Sequence, residues 1–227
     1  TRRKVDFYTK QFVNAIAPTN FLLTNPEVLQ ETINTRGENL IRGLENLLED
    51  LQRGHGELKI STTDYDAFKL GENIATTPGK VIYQNELMQL IQYEPATEKV
   101  FKKPLLLVPP WINKYYILDL RPDNSLIRWM VEQGHTVFIV SWVNPDRKLA
   151  KKRFEDYMLE GIVDALDQIK KITGEPDCNV ASYCLGGTLL SVTLAWLAAH
   201  GQQDRVKSAT FLTTLVDFDQ AGDMKML

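Results

Sequence analysis

Two kinds of reactive side chain are scarce in this chain. Its 227 residues include two cysteines, Cys178 and Cys184, and three histidines. If the segment between the cysteines is an extended strand, they lie about 20 Å apart, because a strand rises roughly 3.3 Å per residue, and a disulfide bond between them is excluded. Two unpaired thiols indicate a reducing compartment, so we predict a cytoplasmic protein.

Long apolar runs and a strong excess of one charge are also absent. The longest apolar stretches are short and interrupted by polar residues, which predicts a protein without a membrane span. The 26 basic and 29 acidic side chains give a net charge of −3, and we expect no nucleic-acid partner. With 44% hydrophobic and 24% charged residues, the composition is typical of a globular protein.

The two ends of the sequence indicate a piece of a longer protein. The start, TRRKVDFYTKQ, lacks methionine and has no hydrophobic region of a signal peptide. The last residues, DFDQAGDMKML, show no helix cap and no evident tail. We therefore expect further residues on both sides.

Residues 1–56 are predicted to be helical. Apolar residues recur on one helical face until Pro18 stops the first run. Asn25, followed by a proline, is a typical start of a second helix. A strongly amphipathic pattern over residues 40–51 predicts a third helix, which the sequence RGHG ends.

From about Ile60 the pattern changes to strands that alternate with helices. Two short strands around a turn, at 80–83 and 88–93, come first. Strands are then predicted in KPLLLVPPW, HTVFIVSW, CNVASY and SATFLTTLVDF, with helices at about 125–133, 154–174 and 185–200 between them. This order predicts a hairpin followed by a parallel sheet with helices on both faces.

A cysteine stands at the end of one predicted strand, in NVASYCLGGTLLS. A strand, a nucleophile flanked by small residues and a helix form the nucleophile elbow of α/β-hydrolases. Here Ser182 takes the place of the usual first glycine and Gly186 is the second. We predict an α/β-hydrolase fold with Cys184 as its nucleophile, at a helix start that favours negative charge. The alternative is that Cys184 is a small buried hydrophobic residue.

Acyl transfer also needs hydrogen-bond donors for the oxygen that becomes negative. The backbone N–H of Leu185 is the first candidate, and the second is expected in the loop PPWINKYY after the first buried parallel strand. Because Pro109 and Pro110 have no N–H, this donor is Trp111 or Ile112, and we favour Ile112. Trp111 is also a candidate substrate-binding residue, because it lies in this loop.

None of the three histidines is well placed as the general base that a thiol nucleophile needs. His200 is separated from Cys184 by a predicted helix about 24 Å long. His135 opens a strand at the opposite edge of the sheet, and His55 belongs to the helical region. Asp217 follows the last predicted strand as a candidate acid, although a turn residue is the commoner role. We expect the base beyond residue 227.

A cluster of basic residues in DRKLAKKRF includes Lys151, Lys152 and Arg153. These side chains follow a predicted strand and are candidates for binding the phosphates of a nucleotide-bearing substrate. A solvated surface segment is the commoner explanation of such a cluster. Cys178, at the start of its strand, is predicted to be a packing residue, and no metal site is predicted.

Three stretches closely resemble polyhydroxyalkanoate (poly-3-hydroxybutyrate) synthases, the class I enzymes most of all. They are DFYTKQFVNAIAPTNFLLTNPEVLQET, VPPWINKYYILDLRPDNSLIRWMVEQGHTVFIVSWVNPD and SYCLGGTLLS. The resemblance implies an acyltransferase that polymerises (R)-3-hydroxyacyl-CoA, with 3-hydroxybutyryl-CoA as the expected monomer, and releases CoA. Cys184 would carry the growing chain as a thioester. No cofactor is expected apart from the CoA thioester substrate.

The same resemblance implies a domain organisation and partners. Residues 1–56 would end an N-terminal domain, residues 57–216 would form the front half of the α/β-hydrolase core, up to about its sixth strand, and residues 217–227 would begin a cap, or lid. The catalytic Asp and His would lie beyond the chain, so the fragment alone would be inactive. Active members are expected to be homodimers on the surface of polymer granules, and the basic cluster would meet the CoA phosphates.

Two other functions stay open. A cysteine-type α/β-hydrolase acting on esters or lactones would use the same nucleophile but transfer the acyl group to water. A non-catalytic granule-binding module would contain Cys184 only as a packed side chain.

Overall fold

The computed structural model describes residues 2–64, 66–219 and 221–222. The chain divides into two compact units: one contains the residues up to Ala67 and the described residues from Asp219 onward, and the other runs from Phe68 to Phe218. The predicted domain limits, at 1–56, 57–216 and 217–227, stay predictions. Most of the predicted cap segment lies outside the described residues.

Among its described residues, the first unit contains three α-helices, in the places that the sequence predicts. They are α1 (Arg2–Ala15), α2 (Pro26–Asn34) and α3 (Glu38–Arg53). Asn25 caps α2, because its Oδ1 accepts hydrogen bonds from the backbone N–H of Glu27 (2.9 Å) and Val28 (3.3 Å) and so satisfies two donors that a helix start leaves unpaired. None of the described residues of these helices is buried.

The second unit is built on a six-stranded sheet with the order β1-β2-β6-β3-β7-β8. The strands are β1 (Gly79–Gln84), β2 (Met88–Tyr93), β3 (Leu105–Val108), β4 (Asp119–Arg121), β5 (Asn124–Ser125), β6 (Val137–Trp142), β7 (Cys178–Tyr183) and β8 (Val206–Leu212). β1–β2 and β2–β6 pair antiparallel, whereas β6, β3, β7 and β8 run parallel. The predicted hairpin and parallel sheet are confirmed.

Helices cover both faces of this sheet. They are α4 (Leu126–Glu132), α5 (Phe154–Asp156), α6 (Asp164–Thr173) and α7 (Leu185–Ala199). Because side chains alternate along a strand, Leu106 of β3 packs with Leu189 of α7 on one face and Leu107 packs with Ile127 of α4 on the other. The predicted α/β-hydrolase fold, through the sixth strand of its sheet, is confirmed.

Three local features differ from the prediction. Tyr157–Val163 forms a π-helix between α5 and α6, inside the continuous helix predicted over 154–174. β8 ends at Leu212, so the predicted strand continues too far. The β4–β5 hairpin, a separate two-stranded sheet, was not predicted, because two- and three-residue strands carry no readable periodicity. No described helix is long and apolar enough to cross a membrane.

Candidate active site

Cys184 lies at the junction between β7 and α7 with an unusual backbone conformation. Its φ is 52° and its ψ is −129°, and a non-glycine residue in such a region costs about 1–3 kcal/mol, a strain typical of functional sites. The turn holds it in place: its N–H donates to Leu212 O (3.1 Å), and its carbonyl oxygen accepts from Gly187 N–H (3.0 Å). The side chain is exposed, so a reactant can reach Sγ.

The two glycines after Cys184 allow the close approach that this turn requires. A Cβ at Gly186 would lie 2.3 Å from Val108 O, and a Cβ at Gly187 would lie 1.9 Å from Thr214 Oγ1. A larger residue at Gly186 would push the start of α7 away from the end of β3, and one at Gly187 would have to displace the side chain of Thr214. The strand–turn–helix geometry is therefore as predicted, whereas the catalytic role of Cys184 stays a prediction.

Leu185 and Ile112 remain candidates for the oxyanion hole. Leu185 is the first residue of α7, and Ile112 lies in the loop after β3 with its side chain 81% exposed. Within the described part of the chain, neither backbone N–H is used in a hydrogen bond. Both donors are free to bind an oxygen, as the prediction requires, and their role stays a prediction.

Trp111 packs in an aromatic cluster beside that loop. Its ring centroid lies 6.1 Å from Trp142, 5.9 Å from Phe154 and 5.2 Å from Tyr157. Its Nε1–H is buried and has no hydrogen-bond partner among the described residues. These contacts fix the ring by packing, and the predicted contact with substrate stays a prediction.

The second cysteine differs from Cys184 in its surroundings. Cys178 is 2% exposed, and burial, with a smaller contribution from the Asp177 carboxylate, raises the pKa of its thiol to about 12. Since the thiolate is the reactive form, Cys178 is unreactive at neutral pH. Its surroundings fit the predicted packing role.

The histidines of the second unit lie away from the sheet edge that carries Cys184. His135 precedes β6, which is parallel to β3 and β7, and so it lies at the opposite edge. His200 follows α7, whose length is about 22 Å at 1.5 Å per residue, and its ring stacks on Trp196 at 4.1 Å. Within the described residues of this unit, no histidine is placed to take a proton from Sγ.

The basic cluster is partly neutralised by neighbouring carboxylates. Lys152 Nζ contacts both carboxylate oxygens of Glu160 (2.8 and 2.6 Å) and lies 3.5 Å from Glu86 Oε2. The hydrogen bond to Glu160 raises the pKa of Lys152, which keeps the ammonium charged but paired. Lys151 and Arg153 are exposed and are the better candidates for a phosphate contact.

A cavity of about 230 Å³ lies beside the elbow. Leu107, Leu118, Leu126, Met130, Ala181, Ser182, Tyr183 and Leu212 line it. Tyr183 precedes Cys184, and the carbonyl oxygen of Leu212 accepts a hydrogen bond from the Cys184 N–H. The cavity therefore adjoins the candidate nucleophile. Its mostly apolar wall suits an aliphatic group. Sequence reasoning missed this cavity, because its walls come from elements that are distant along the chain.

A model of the family described as "Poly-beta-hydroxybutyrate polymerase (PhaC) N-terminus" matches residues 1–130, more than half of the chain. The chain belongs to this family. The PhaC-family chain is 58% identical over 226 residues to a poly(3-hydroxyalkanoate) polymerase of Methylorubrum extorquens. It is 49% identical over 222 residues to the poly(3-hydroxyalkanoate) polymerase subunit PhaC of Cupriavidus necator. These matches cover 100% and 98% of this chain but only 37% of each relative.

Solved structures similar to this PhaC-family chain include hydrolases of low sequence identity. A fungal esterase from Rhizomucor miehei is 16% identical with a TM-score of 0.46, over 63% of this chain and 46% of that one. A CIB-like hydrolase from Thermoplasma acidophilum is 12% identical with a TM-score of 0.42, over 65% of this chain and 67% of that one. The fold itself is established by the sheet order and the elbow of the PhaC-family chain.

Proposed function

We propose that this chain supplies the nucleophile of an acyltransferase that polymerises (R)-3-hydroxyacyl-CoA into polyhydroxyalkanoate. The observation that carries the proposal is Cys184, an exposed thiol on a strained turn at the start of α7. The names of the relatives, poly(3-hydroxyalkanoate) polymerases, support the substrate class. 3-Hydroxybutyryl-CoA is the expected monomer, and no cofactor is required.

The proposed first step moves the acyl group from CoA to the protein. The Cys184 thiolate attacks the thioester carbonyl carbon, a bond from Sγ to that carbon forms, and the bond to the CoA sulfur breaks. CoA leaves as a thiolate and takes up a proton. The carbonyl oxygen, negative in the tetrahedral intermediate, receives hydrogen bonds from the N–H groups of Leu185 and Ile112.

The proposed second step extends the polymer. The 3-hydroxyl oxygen of another hydroxyacyl group attacks the Cys184 thioester, an ester bond forms, and Sγ leaves as a thiolate while a base takes the hydroxyl proton. In the first step one thioester replaces another, so the free energy of the reaction changes little.

Water must be excluded from the site during both steps, since hydrolysis of the Cys184 thioester would end the chain.

Further properties of the enzyme belong to the same proposal. Lys151 and Arg153 would bind CoA phosphates, and the cavity beside the elbow would hold aliphatic parts of the acyl group. The active protein would be a homodimer on the surface of cytoplasmic polymer granules. Residues 1–227 alone would be inactive, because the base that the reaction needs is not among the described histidines of the second unit.

The proposal is tested by following CoA release and covalent acylation with 3-hydroxybutyryl-CoA. The protein is taken as its source cell expresses it, with Cys184→Ala as the test variant and Cys178→Ala as the matched control. We expect acylation on the peptide that contains Cys184 in the wild type and the control. Cys184→Ala should show no adduct, and CoA release should fall by about 10³-fold or more, as for the loss of other nucleophiles.

Three results would contradict the proposal in different ways. Acylation at another residue would exclude Cys184 as the nucleophile. Free 3-hydroxybutyrate without polymer would identify a hydrolase. CoA release by the wild type no faster than the uncatalysed rate would leave a non-catalytic granule-binding role.

A further inference from the structure

Trp142 connects the end of one strand to the loop that follows its neighbour. It is the last residue of β6, its side chain is 7% exposed, and its indole Nε1–H donates a hydrogen bond to Pro109 O at 2.8 Å. β6 pairs with β3, and Pro109 is the first residue after β3. The bond therefore ties the start of the candidate oxyanion loop to the sheet.

The same peptide group lies against the nucleophile elbow. An ideal Cβ on Gly186 would lie 2.9 Å from Pro109 O and 2.8 Å from Pro109 C, so the start of α7 touches this carbonyl directly. Pro109 is thus held between the indole of Trp142 and the turn that carries Cys184. Its position sets the path of the next three residues, up to Ile112.

The ring of Trp142 is itself held in place by the π-helix. An ideal Cβ on Gly161 would lie 2.5 Å from Cη2 of the indole, so no residue with a side chain fits there without moving the ring. Tyr157, in the same π-helix, lies 5.6 Å from Trp142 between ring centroids, and Trp111 lies 6.1 Å away. The indole has little room to turn away from Pro109.

We propose that Trp142 is a positioning residue for the oxyanion hole. Its N–H holds the Pro109 peptide so that the N–H of Ile112 and the N–H of Leu185 converge on one oxygen beside Cys184 Sγ. Trp142 itself touches neither substrate nor reacting atoms. The inference rests on the proposed acyl transfer to Cys184 and adds a residue that this transfer requires.

The test compares two reactions of the same thiol in the protein as its source cell expresses it. Acylation of Cys184 by 3-hydroxybutyryl-CoA passes through an intermediate with a negative oxygen, which the oxyanion hole stabilises. Alkylation by iodoacetamide displaces iodide from a saturated carbon and forms no such oxygen. We therefore expect the position of the Pro109 peptide to affect the first rate much more than the second.

Trp142→Phe removes the N–H but keeps an aromatic ring. We expect its single-turnover acylation rate to fall about tenfold or more, a share of the 10²–10³-fold that loss of a direct donor costs, while alkylation changes less than about twofold. Trp129→Phe is the matched control, because Trp129 is 55% exposed on α4, and both of its rates should equal those of the wild type.

A second variant changes the contact of Gly161 with the Trp142 ring and leaves the indole itself intact. Gly161→Ala should displace the ring and lower acylation selectively in the same way, so it decides the matter if Trp142→Phe does not fold. Equal acylation by the variants and the wild type would overturn the positioning role, and so would an equal fall in both rates. If the wild type is alkylated at Cys184 but never acylated there, the proposed function itself fails.

Discussion

At the residue scale, the two glycines that follow Cys184 contact different kinds of atom. The three atoms nearest to a Cβ on Gly186 are backbone atoms of Val108 and Pro109, whereas the three nearest to a Cβ on Gly187 all belong to the side chain of Thr214, with Oγ1 at 1.9 Å and Cγ2 at 2.6 Å. A side chain can rotate or be removed by mutation, but a strand end inside a sheet cannot move without breaking its pairing.

This difference predicts which substitution can be rescued. Gly186→Ala and Gly187→Ala should each lower the free energy of unfolding by about 1–3 kcal/mol, the usual cost of overpacking. Adding Thr214→Ala should restore about 1 kcal/mol to Gly187→Ala and nothing to Gly186→Ala, since only neighbouring sites couple. Urea unfolding of the four variants measures this, and an equal rescue of both glycine variants would contradict it.

Cys178 makes the second unit less stable as the pH rises above about 9. Burial raises the pKa of its thiol from the ordinary 9.0 to about 12. Between these values the unfolded chain has lost the proton and the folded protein has kept it, so stability falls as the pH rises. The slope from this one group approaches 1.4 kcal/mol per pH unit at most. Burial also raises the pKa of Tyr183 to about 12, which adds a loss of the same sign.

The measurement is urea unfolding at about pH 8 and again between pH 9 and 12. Cys178→Ala should lose less stability across this interval than the wild type, because it lacks the thiol. Val180→Ala is the matched control: Val180 is 1% exposed on the same strand but has no titratable group. Relative to the wild type, Val180→Ala should lose the same amount of stability at every pH. If the stability of Cys178→Ala falls with pH as steeply as that of the wild type, the prediction is contradicted.

At the scale of elements, the β4–β5 hairpin depends on one buried carboxylate. Asp119 is 1% exposed. Its Oδ1 accepts hydrogen bonds from Thr77 Oγ1 (2.7 Å) and Ser125 Oγ (2.6 Å), and its Oδ2 accepts one from Thr77 N–H (3.1 Å). Ser125 in turn caps α4 by accepting from Arg128 N–H at 2.9 Å. A single side chain thus joins the segment before β1, the hairpin and the start of α4.

Asp119→Ala should therefore lower the free energy of unfolding by about 3 kcal/mol, because it leaves the partly buried donors of Thr77 and Ser125 without their partner. Asp123→Ala is the control on the same hairpin: its carboxylate is 76% exposed and pairs with Arg121 at 3.2 Å, a contact worth about 0.5 kcal/mol or less. Thermal or urea unfolding distinguishes the two variants. A loss below 1 kcal/mol in Asp119→Ala would contradict this prediction and show that water replaces the carboxylate as the acceptor for these donors.

Elements with a strong buried pattern were predictable from sequence, and those shaped by tertiary contacts were not. β2 and β7 occupy the residues predicted for them, because alternating or continuous apolar residues bound by turn residues mark a buried strand. The π-helix over Tyr157–Val163 was not predicted, because the spacing of its apolar residues is equally compatible with an α-helix. Its distinguishing feature is the contact of Gly161 with Trp142, which lies outside the local sequence.

At the scale of the whole molecule, the class of fold was predictable but the contacts across it were not. Alternating strands and helices predict a parallel sheet, yet no local pattern places β6 between β2 and β3. The turn around Cys184 was predictable, because its small residues are neighbours in the sequence. The carboxylates that pair with Lys152 come from residues 86 and 160, and the residues that line the apolar cavity lie between 107 and 212 in the sequence. These ion pairs and this cavity are visible only in the folded chain.

The backbone of Cys184 bears on how a more robust version of this protein could be engineered. A glycine at position 184 would adopt the same φ of 52° without the cost that a side chain imposes there. Libraries screened only for heat resistance or soluble yield would therefore enrich a variant that has no thiol. Under the proposed function, position 184 has to be held constant in such a search, and each improved variant has to be tested for the proposed acylation as well as for its melting temperature.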